Sequence, residues 1–447
     1  MMFRRRTLRI LARRCPAIPL VALMCGAVPV QAALSPAERH VVAQVDADQG
    51  RAVALLERLV NQNSGTRNLA GVTRVADMIR PEFQALGFTV QWRPMTAVGR
   101  AGHLIATHTG RAGALRLLLI GHLDTVFEPD SPFQRFEREG QRAHGPGAGD
   151  DKGGLVVMLT ALRAMSAAGT LDDANIEVVL SGDEESAGAP VTVARADLVA
   201  AGKRADVALD FEGLALEDGR DMGSIARRSA STFVLRTRGQ SAHSSGIFSD
   251  DVGDGAVFEL ARILSAFRAE LPEPDLTFNV GLVAGGARAA LDDNEAGARA
   301  SGKTNIVPGE AVAMGDFRTL SAEQTARVEA RMLAIVARHA PRTEASIEFR
   351  DSYPPMAPTA GNRALLAKLN VINTDLGLAV MAPLDPLKRG AGDISFVAAD
   401  TDGLVGLGLA SSGDHTPEET ADLGSLSRQA KRAALLMTRL SRERSRK

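Results

Sequence analysis

Two stretches carry residue types that can do chemistry together: GHLDTV at Gly121–Val126 and GPGAGDDKGG at Gly145–Gly154. His122 and Asp124 are two apart, so on an extended strand they face one side. An imidazole beside a carboxylate is either a metal ligand with its orienting partner or acid–base machinery. Asp150 and Asp151 add carboxylates in a glycine-rich turn. Others follow apolar runs: Glu184 and Glu185 in SGDEE, and Glu212 in DFEG. His415 lies in GDHT, a loop after the apolar run Gly403–Leu407. So many carboxylates meeting in one crevice would repel one another unless cations hold them. A mixture of histidine nitrogen and carboxylate oxygen suits zinc or a similar divalent ion.

These residues depend on the elements that deliver them. Leu115–Ile120, Ile176–Leu180 and Ala205–Leu209 are continuous apolar runs, the pattern of strands buried on both faces. In open α/β sheets ligands gather where such strands end. Around them, Ala52–Val60, Gly71–Leu86 and Gly154–Ala168 read as helices, and Pro81 is expected to kink or divide the second. Phe88–Trp92 and His103–Thr109 read as further strands. The alternation predicts an α/β fold with a mostly parallel sheet flanked by helices. Near Ala226 the pattern changes to strand, helix, strand, strand, helix, strand, ending at Phe349. That order predicts an inserted ferredoxin-like domain over 226–348, between two parts of a catalytic domain at 33–225 and 349–447. Gly285–Lys303 reads as a hairpin-like connection, and the arginine-rich end from Arg439 as a frayed, solvated tail.

The chain's 447 residues exceed what one core usually supports. A net charge of -1 argues against a nucleic-acid partner. One Trp and one Tyr leave no stacking platform for bases or sugars. Residues 1–32 read as an export signal: six arginines from Arg4 to Arg14, the apolar stretch Ala17–Val30, and small residues near Ala32. The apolar stretch is too short to span a membrane, so an exported, periplasmic or secreted mature chain without a span is expected. Cys15 and Cys25 both fall in this segment, which excludes thiol chemistry from the mature chain.

In its motifs the sequence resembles the dinuclear zinc hydrolases of the glutamate carboxypeptidase, acetylornithine deacetylase and succinyl-diaminopimelate desuccinylase type. Within them it resembles the folate-cleaving glutamate carboxypeptidases. GHLDTV, GPGAGDDKGG, SGDEESAG, DFEG and GDHT occur in the family's order, and the resemblance runs from Pro36 to Glu443. It implies two divalent metal ions, zinc, bridged by Asp150. His122 and Glu212 would complete one site, Glu185 and His415 the other. Asp124 would orient His122, Asp151 would play a supporting part, and Glu184 would be the general base. The implied reaction is attack by a hydroxide shared between the metals on an amide next to a free carboxylate. A C-terminal amino acid such as glutamate would leave. A dipeptidase or N-acyl-amino-acid deacylase would use the same residues, and a non-catalytic binder is disfavoured because no ligand is missing. The implied partners are a small peptide or N-acyl amino acid and a second copy, joined through the inserted domain. His243 in GQSAHS would reach across to the other copy's site and steady the oxyanion. Asn305 in TNIVPG, Arg318 in GDFRTL and Gly390 in GAGD resemble positions that meet the substrate's carboxylate. The family's arginine near the returning segment has no match in RDSYPP at Arg350–Pro355.

Overall fold

A computed structural model describes residues 34–292 and 296–445; the export segment read at 1–32, with Cys15 and Cys25, lies outside the described residues. Two main sheets are built from β1 (Thr89–Pro94), β2 (Gly102–His108), β3 (Arg116–His122), β4 (Asn175–Ser181), β5 (Val207–Asp210), β6 (Ala230–Gly239), β7 (Thr277–Gly286), β8 (Glu310–Arg318), β9 (Thr343–Tyr353) and β10 (Gly403–Leu404). The first sheet has the order β1-β2-β4-β3-β5-β10. β1 and β2 join it antiparallel, while β4, β3, β5 and β10 run parallel. This is the mostly parallel α/β architecture that the alternating signals predict.

Successive residues of β3 divide between two cores: Leu117 and Leu119 face one, Leu118 and Ile120 the other. A strand covered on both faces has no place for a polar side chain along its length, which is why this run is apolar. Polar chemistry is left to its end. β3 is also where the strand order reverses, with β4 on one side and β5 on the other, and such a switch point opens a crevice at the strand exits. Register aligns those exits, since His122 pairs with Ser181 and Ile120 with Asp210.

The second sheet, order β7-β8-β6-β9, is antiparallel throughout. Helices Gly255–Glu270 and Ala322–Val336 pack on it around Phe233, Ile263, Phe267, Phe317 and Met332, a core separate from the first. Between Ala230 and Tyr353 the elements follow as strand, helix, strand, strand, helix, strand, and β9 runs past the boundary expected at 348. A hairpin, Arg288–Leu291 with Ala298–Ser301, occupies the glycine-rich connection.

Three corrections and one element without a sequence signal emerge. The helix Leu69–Gln84 continues through Pro81. A proline inside a helix costs about 3 kcal/mol, but Val72, Val75, Ile79 and Phe83 are buried on both sides of it, and each such side chain contributes about 1.5–3 kcal/mol. The first helix starts at Pro36, well before Ala52, because Ser35 and Glu38 form a capping box. The C-terminal segment is tied down: Arg439 pairs with Glu38 and Asp375, and the Leu115 N–H donates to the Glu443 carbonyl. A small antiparallel sheet of Glu137–Glu139, Arg142–His144, Ala410–Ser412 and Thr420–Asp422 had no clear sequence pattern, because its strands are so short. It sets the GPGAGDD turn against the GDHT loop. Among the described residues no helix is long and apolar enough to cross a membrane.

Candidate metal centre

The strand exits and the two loops bring His122, Asp150, Glu185, Glu212 and His415 into one crevice. His122, Asp150 and Glu212 each place a ligand atom within 4.8 Å of the others, and so do Asp150, Glu185 and His415. Asp150 belongs to both groups. His122 Nε2 is 2.8 Å from its Oδ1, and His415 Nε2 is 3.0 Å from its Oδ2. His415 Nε2 also lies 3.1 Å from Glu185 Oε2. One carboxylate therefore turns an oxygen toward each imidazole, a geometry that lets it serve two cations. The donor chemistry fits divalent ions, with one nitrogen and two carboxylates in each group. Glu185 Oε1 is buried without a hydrogen-bond partner. Leaving such an atom bare costs about 1–3 kcal/mol, and coordination would remove that cost. His415 itself sits at φ +66°, a left-handed conformation that a non-glycine residue keeps only where its surroundings demand it.

Asp124 joins two strand exits. Its carbonyl is 3.1 Å from His122 Nδ1, and its Oδ1 is 3.4 Å from the same nitrogen. Oδ1 accepts the Glu184 N–H at 3.0 Å, while Oδ2 accepts the Glu185 N–H at 3.2 Å and the Thr66 hydroxyl at 2.6 Å. Burial works to raise the Asp124 pKa, but His122 and these donors hold it below the usual carboxylate range. At His122 burial opposes protonation, and the carboxylates of Asp124 and Asp150 outweigh it, so the pKa stands well above its ordinary value. Glu184 is pushed well above the carboxylate range by burial and then by Glu212. It lines the crevice with its carboxylate free of hydrogen bonds and ion pairs among the described residues.

A family model for Peptidase family M20/M25/M40 matches residues 118–439. The chain belongs to this family. Carboxypeptidase G2 from Pseudomonas sp. (strain RS-16) is 27% identical over 303 residues, 67% of either chain. Succinyl-diaminopimelate desuccinylase from Leptothrix cholodnii is 24% identical over 394 residues, 84% of this chain and 94% of that protein. Among solved structures, the Bacillus subtilis YXEP protein, a dinuclear metal binding peptidase from the M20 family, shares the fold. Its TM-score is 0.60 at 14% identity, over 88% of this chain and 98% of that one. The M20 chain is thus a metal-dependent hydrolase.

Within this M20 chain the carboxylates open onto a cavity of about 530 Å³, also lined by Arg227, Arg318, Tyr353, Arg389 and Gly390. Arg318 and Gly390 therefore face the same space as Asp150, Glu184 and Glu185. His243 and Asn305 do not. They lie together in the loops beside the second sheet, where the Ser244 N–H donates to the Asn305 carbonyl, and both are exposed and absent from the lining.

Several supporting residues escaped the sequence reading of this M20 site. Glu419 is buried and accepts the N–H groups of Gly147, Gly149 and Asp150 at 3.2, 2.9 and 3.1 Å. The turn that presents Asp150 is wrapped around this carboxylate. Its signal was available, since Glu419 follows His415 in HTPEE on the same loop. Asp151, which the resemblance gave a supporting part, turns inward, where its Oδ2 accepts the His122 N–H at 3.2 Å. A Cβ at Gly121 would come within 2.8 Å of that oxygen, and one at Gly154 within 2.1 Å of the other, so both glycines admit Asp151. Arg195, fully buried, donates to Asp183 at 2.6 Å, Asp393 at 2.7 Å and the Tyr353 hydroxyl at 2.8 Å; that hydroxyl donates to the Glu184 carbonyl at 2.7 Å. Arg227 Nη1 lies 2.8 Å from Glu212 Oε2. Nothing in the local sequence around Arg195 or Arg227 separates them from surface arginines; only the tertiary fold does.

Proposed function

We propose that the protein is a carboxypeptidase-type metallohydrolase, which cleaves an amide bond next to a free carboxylate and releases a C-terminal amino acid such as glutamate. The observation that carries this reading is the sharing of Asp150 by two donor groups, beside the uncommitted Glu184, in a cavity also lined by Arg227, Arg318, Arg389 and Gly390. His122, Glu212 and Asp150 would hold one divalent ion, and Glu185, His415 and Asp150 the other, with zinc the ion these donors suit. Such ions supply Lewis acidity and lower the pKa of a nearby water. Asp124 fixes the His122 ring. Glu184 takes a proton from the attacking water and returns it to the leaving nitrogen. Arg318, through its fork, and the Gly390 loop, through backbone N–H groups, meet the substrate's free carboxylate.

The inserted unit at 226–348, with its ferredoxin-like order of elements, serves as the dimerisation and lid domain between the two parts of the catalytic domain. In a homodimer, His243 and Asn305 complete the crevice of the other copy. Their exposure and their distance from the lining of their own crevice support this. The arginine-rich start and short apolar stretch support an exported mature chain. A second reading, N-acyl-amino-acid deacylase or dipeptidase, draws support from the desuccinylase relative and needs no change in any residue's role.

The test is hydrolysis of a panel of N-acyl amino acids and dipeptides by zinc-loaded protein. Substrates with a free C-terminal carboxylate are expected to turn over, with loss in chelator and recovery on zinc. Activity that survives the chelator, or that prefers amidated C-termini, sinks the proposal.

A further inference from the structure

The RDSYPP segment carries the single tyrosine of the sequence, Tyr353. Tyr353 closes β9, where the chain leaves the four-stranded sheet, and pairs with Ala230, where β6 begins. Beyond that pair Arg227 and Met356 exchange backbone hydrogen bonds of 3.0 and 2.8 Å, so the two passages form one short ribbon. From Thr232 to Ala230 the ribbon advances two residues on β6, and from Arg350 to Tyr353 it advances three on β9. The extra residue is a β-bulge, a device that re-aims the side chain beside it. A slip of one residue turns a side chain to the other face of a sheet. Tyr353 is thereby brought to the face of Ala230, and both line the crevice together with Glu184. Its hydroxyl stands in a relay of donors: Arg195 Nη2 donates to it at 2.8 Å, and it donates to the Glu184 carbonyl at 2.7 Å. Burial, and after it Asp393 and Glu184, hold the phenol pKa well above its ordinary value against the pull of Arg195, so the hydroxyl keeps its proton and stays a donor. On the other side, the Glu184 N–H is taken by Asp124 at 3.0 Å.

We propose that Tyr353 is a positioning residue for Glu184: through the Glu184 carbonyl, the end of the four-stranded sheet sets where the base's carboxylate stands in the crevice. The inference rests on the amide-hydrolase reading above, in which Glu184 moves the proton. The Glu184 peptide is gripped at its N–H from the six-stranded sheet, by Asp124, and at its carbonyl from the four-stranded sheet, by Tyr353. Neither grip touches the carboxylate, so its place follows from the backbone. Proton transfer needs that carboxylate within hydrogen-bond reach of the attacking water, and a misplacement of about 1 Å can cost about 10²-fold. Loss of the hydroxyl frees the carbonyl alone while Asp124 keeps the N–H, which makes for a smaller displacement and a smaller loss. The competing account is that Tyr353 only fills space, since its ring meets Phe396 edge-on at 4.9 Å and the Arg195 guanidinium at 5.7 Å.

Tyr353→Phe separates the two accounts, because it keeps the ring and removes the hydroxyl. Full-length zinc-loaded wild type and Tyr353→Phe are compared by steady-state kinetics on one N-acyl amino acid, with zinc content measured alongside. Tyr353→Phe is expected to lose about 10-fold in kcat at unchanged KM and zinc content. Wild-type kcat in this variant overturns the proposal. So does a rise in KM at unchanged kcat, which makes Tyr353 a substrate contact, and so does a loss of zinc, which places it behind the ligands. A second measurement needs neither the variant nor turnover. With a single tyrosine in the sequence, labelling with ring-fluorinated tyrosine gives one fluorine resonance, at residue 353. Glu185 is a proposed ligand next to Glu184, so zinc titrated into labelled, chelator-stripped protein is expected to move that resonance. A resonance that stays put through stoichiometric loading overturns the link. Movement with zinc in a protein that hydrolyses no amide would instead defeat the hydrolase reading and leave the Tyr353–Glu184 link standing.

Discussion

The two main sheets follow opposite rules, and only one carries the donor set. In the six-stranded sheet, β3 and β5 are buried over nearly their whole length. Function has nowhere to sit except the ends, and the ends are locked. Asp124 ties the β3 exit to the β4 exit, and the Arg195–Asp183–Asp393–Tyr353 network holds the Glu184 backbone from behind. In the four-stranded sheet one face is open, and β7 alternates between exposed and half-buried residues. Its charges pair at the surface, as Arg236 does with Glu348 at 46% and 55% exposure, and such pairs are worth about 0–1 kcal/mol. His243 and Asn305 beside it lie outside the crevice, and it lends the lining Ala230 at the start of β6, Arg318 at the end of β8 and Tyr353 at the end of β9. A buried sheet fixes chemistry by denying it any other place; a half-open sheet leaves its residues available to a partner.

That contrast is open to direct attack. The largest expected effect is at the locked end: Glu184→Gln should lower kcat by about 10²–10⁴-fold, while metal content by elemental analysis stays at the wild-type level. Near-normal turnover in this variant would remove Glu184 as the base. On the open sheet, His243→Ala should cost about 10²-fold in kcat, with metal content and folding unchanged. The sharper version mixes the two inactive variants. If His243 serves the other copy, the mixed dimer holds one site with both Glu184 and His243 intact, and activity returns on mixing. Failure of each variant alone and of the mixture would place His243 outside the crossing role.

The same contrast governs what could be read before any coordinates. β3, β4 and β5 were legible because strands covered on both faces need unbroken apolar runs, and those runs point at the acidic motifs following them. The convergence of His122, Asp150, Glu185, Glu212 and His415 was legible only through the combination of motifs, because separations up to 293 residues carry no local signal. Periodicity could not find the short strands Ala410–Ser412 and Thr420–Asp422, which are too brief to show a period. Nor could it tell buried Arg195, Arg227 and Arg432 from the many arginines at the surface, since their burial is set by neighbours far along the chain. Pro81 is the opposite case: the local rule allows a break there, and tertiary burial keeps the helix in one piece.

The smallest expected effect tests how far the locking extends. Glu419 touches neither proposed substrate nor proposed metal, yet its Oε1 receives the N–H groups of Gly149 and Asp150, and its Oε2 that of Gly147. Glu419→Gln keeps an acceptor for Gly149 and Asp150 but turns an NH₂ donor toward the Gly147 N–H, so one leg of the clamp becomes repulsive. The turn then has freedom to shift, and Asp150 is the ligand it carries. Weakening of a partner that orients a ligand typically costs about 10–100-fold in metal affinity; the amide, which retains two of the three bonds, should sit near tenfold and Glu419→Ala nearer a hundred. Competition with a chromogenic chelator measures this without reference to turnover. Equal affinity in all three proteins would mean that the small sheet alone, through Thr420 against His144, positions Asp150. A graded loss would mean that the loop delivering His415 to one side of Asp150 also sets where Asp150 stands.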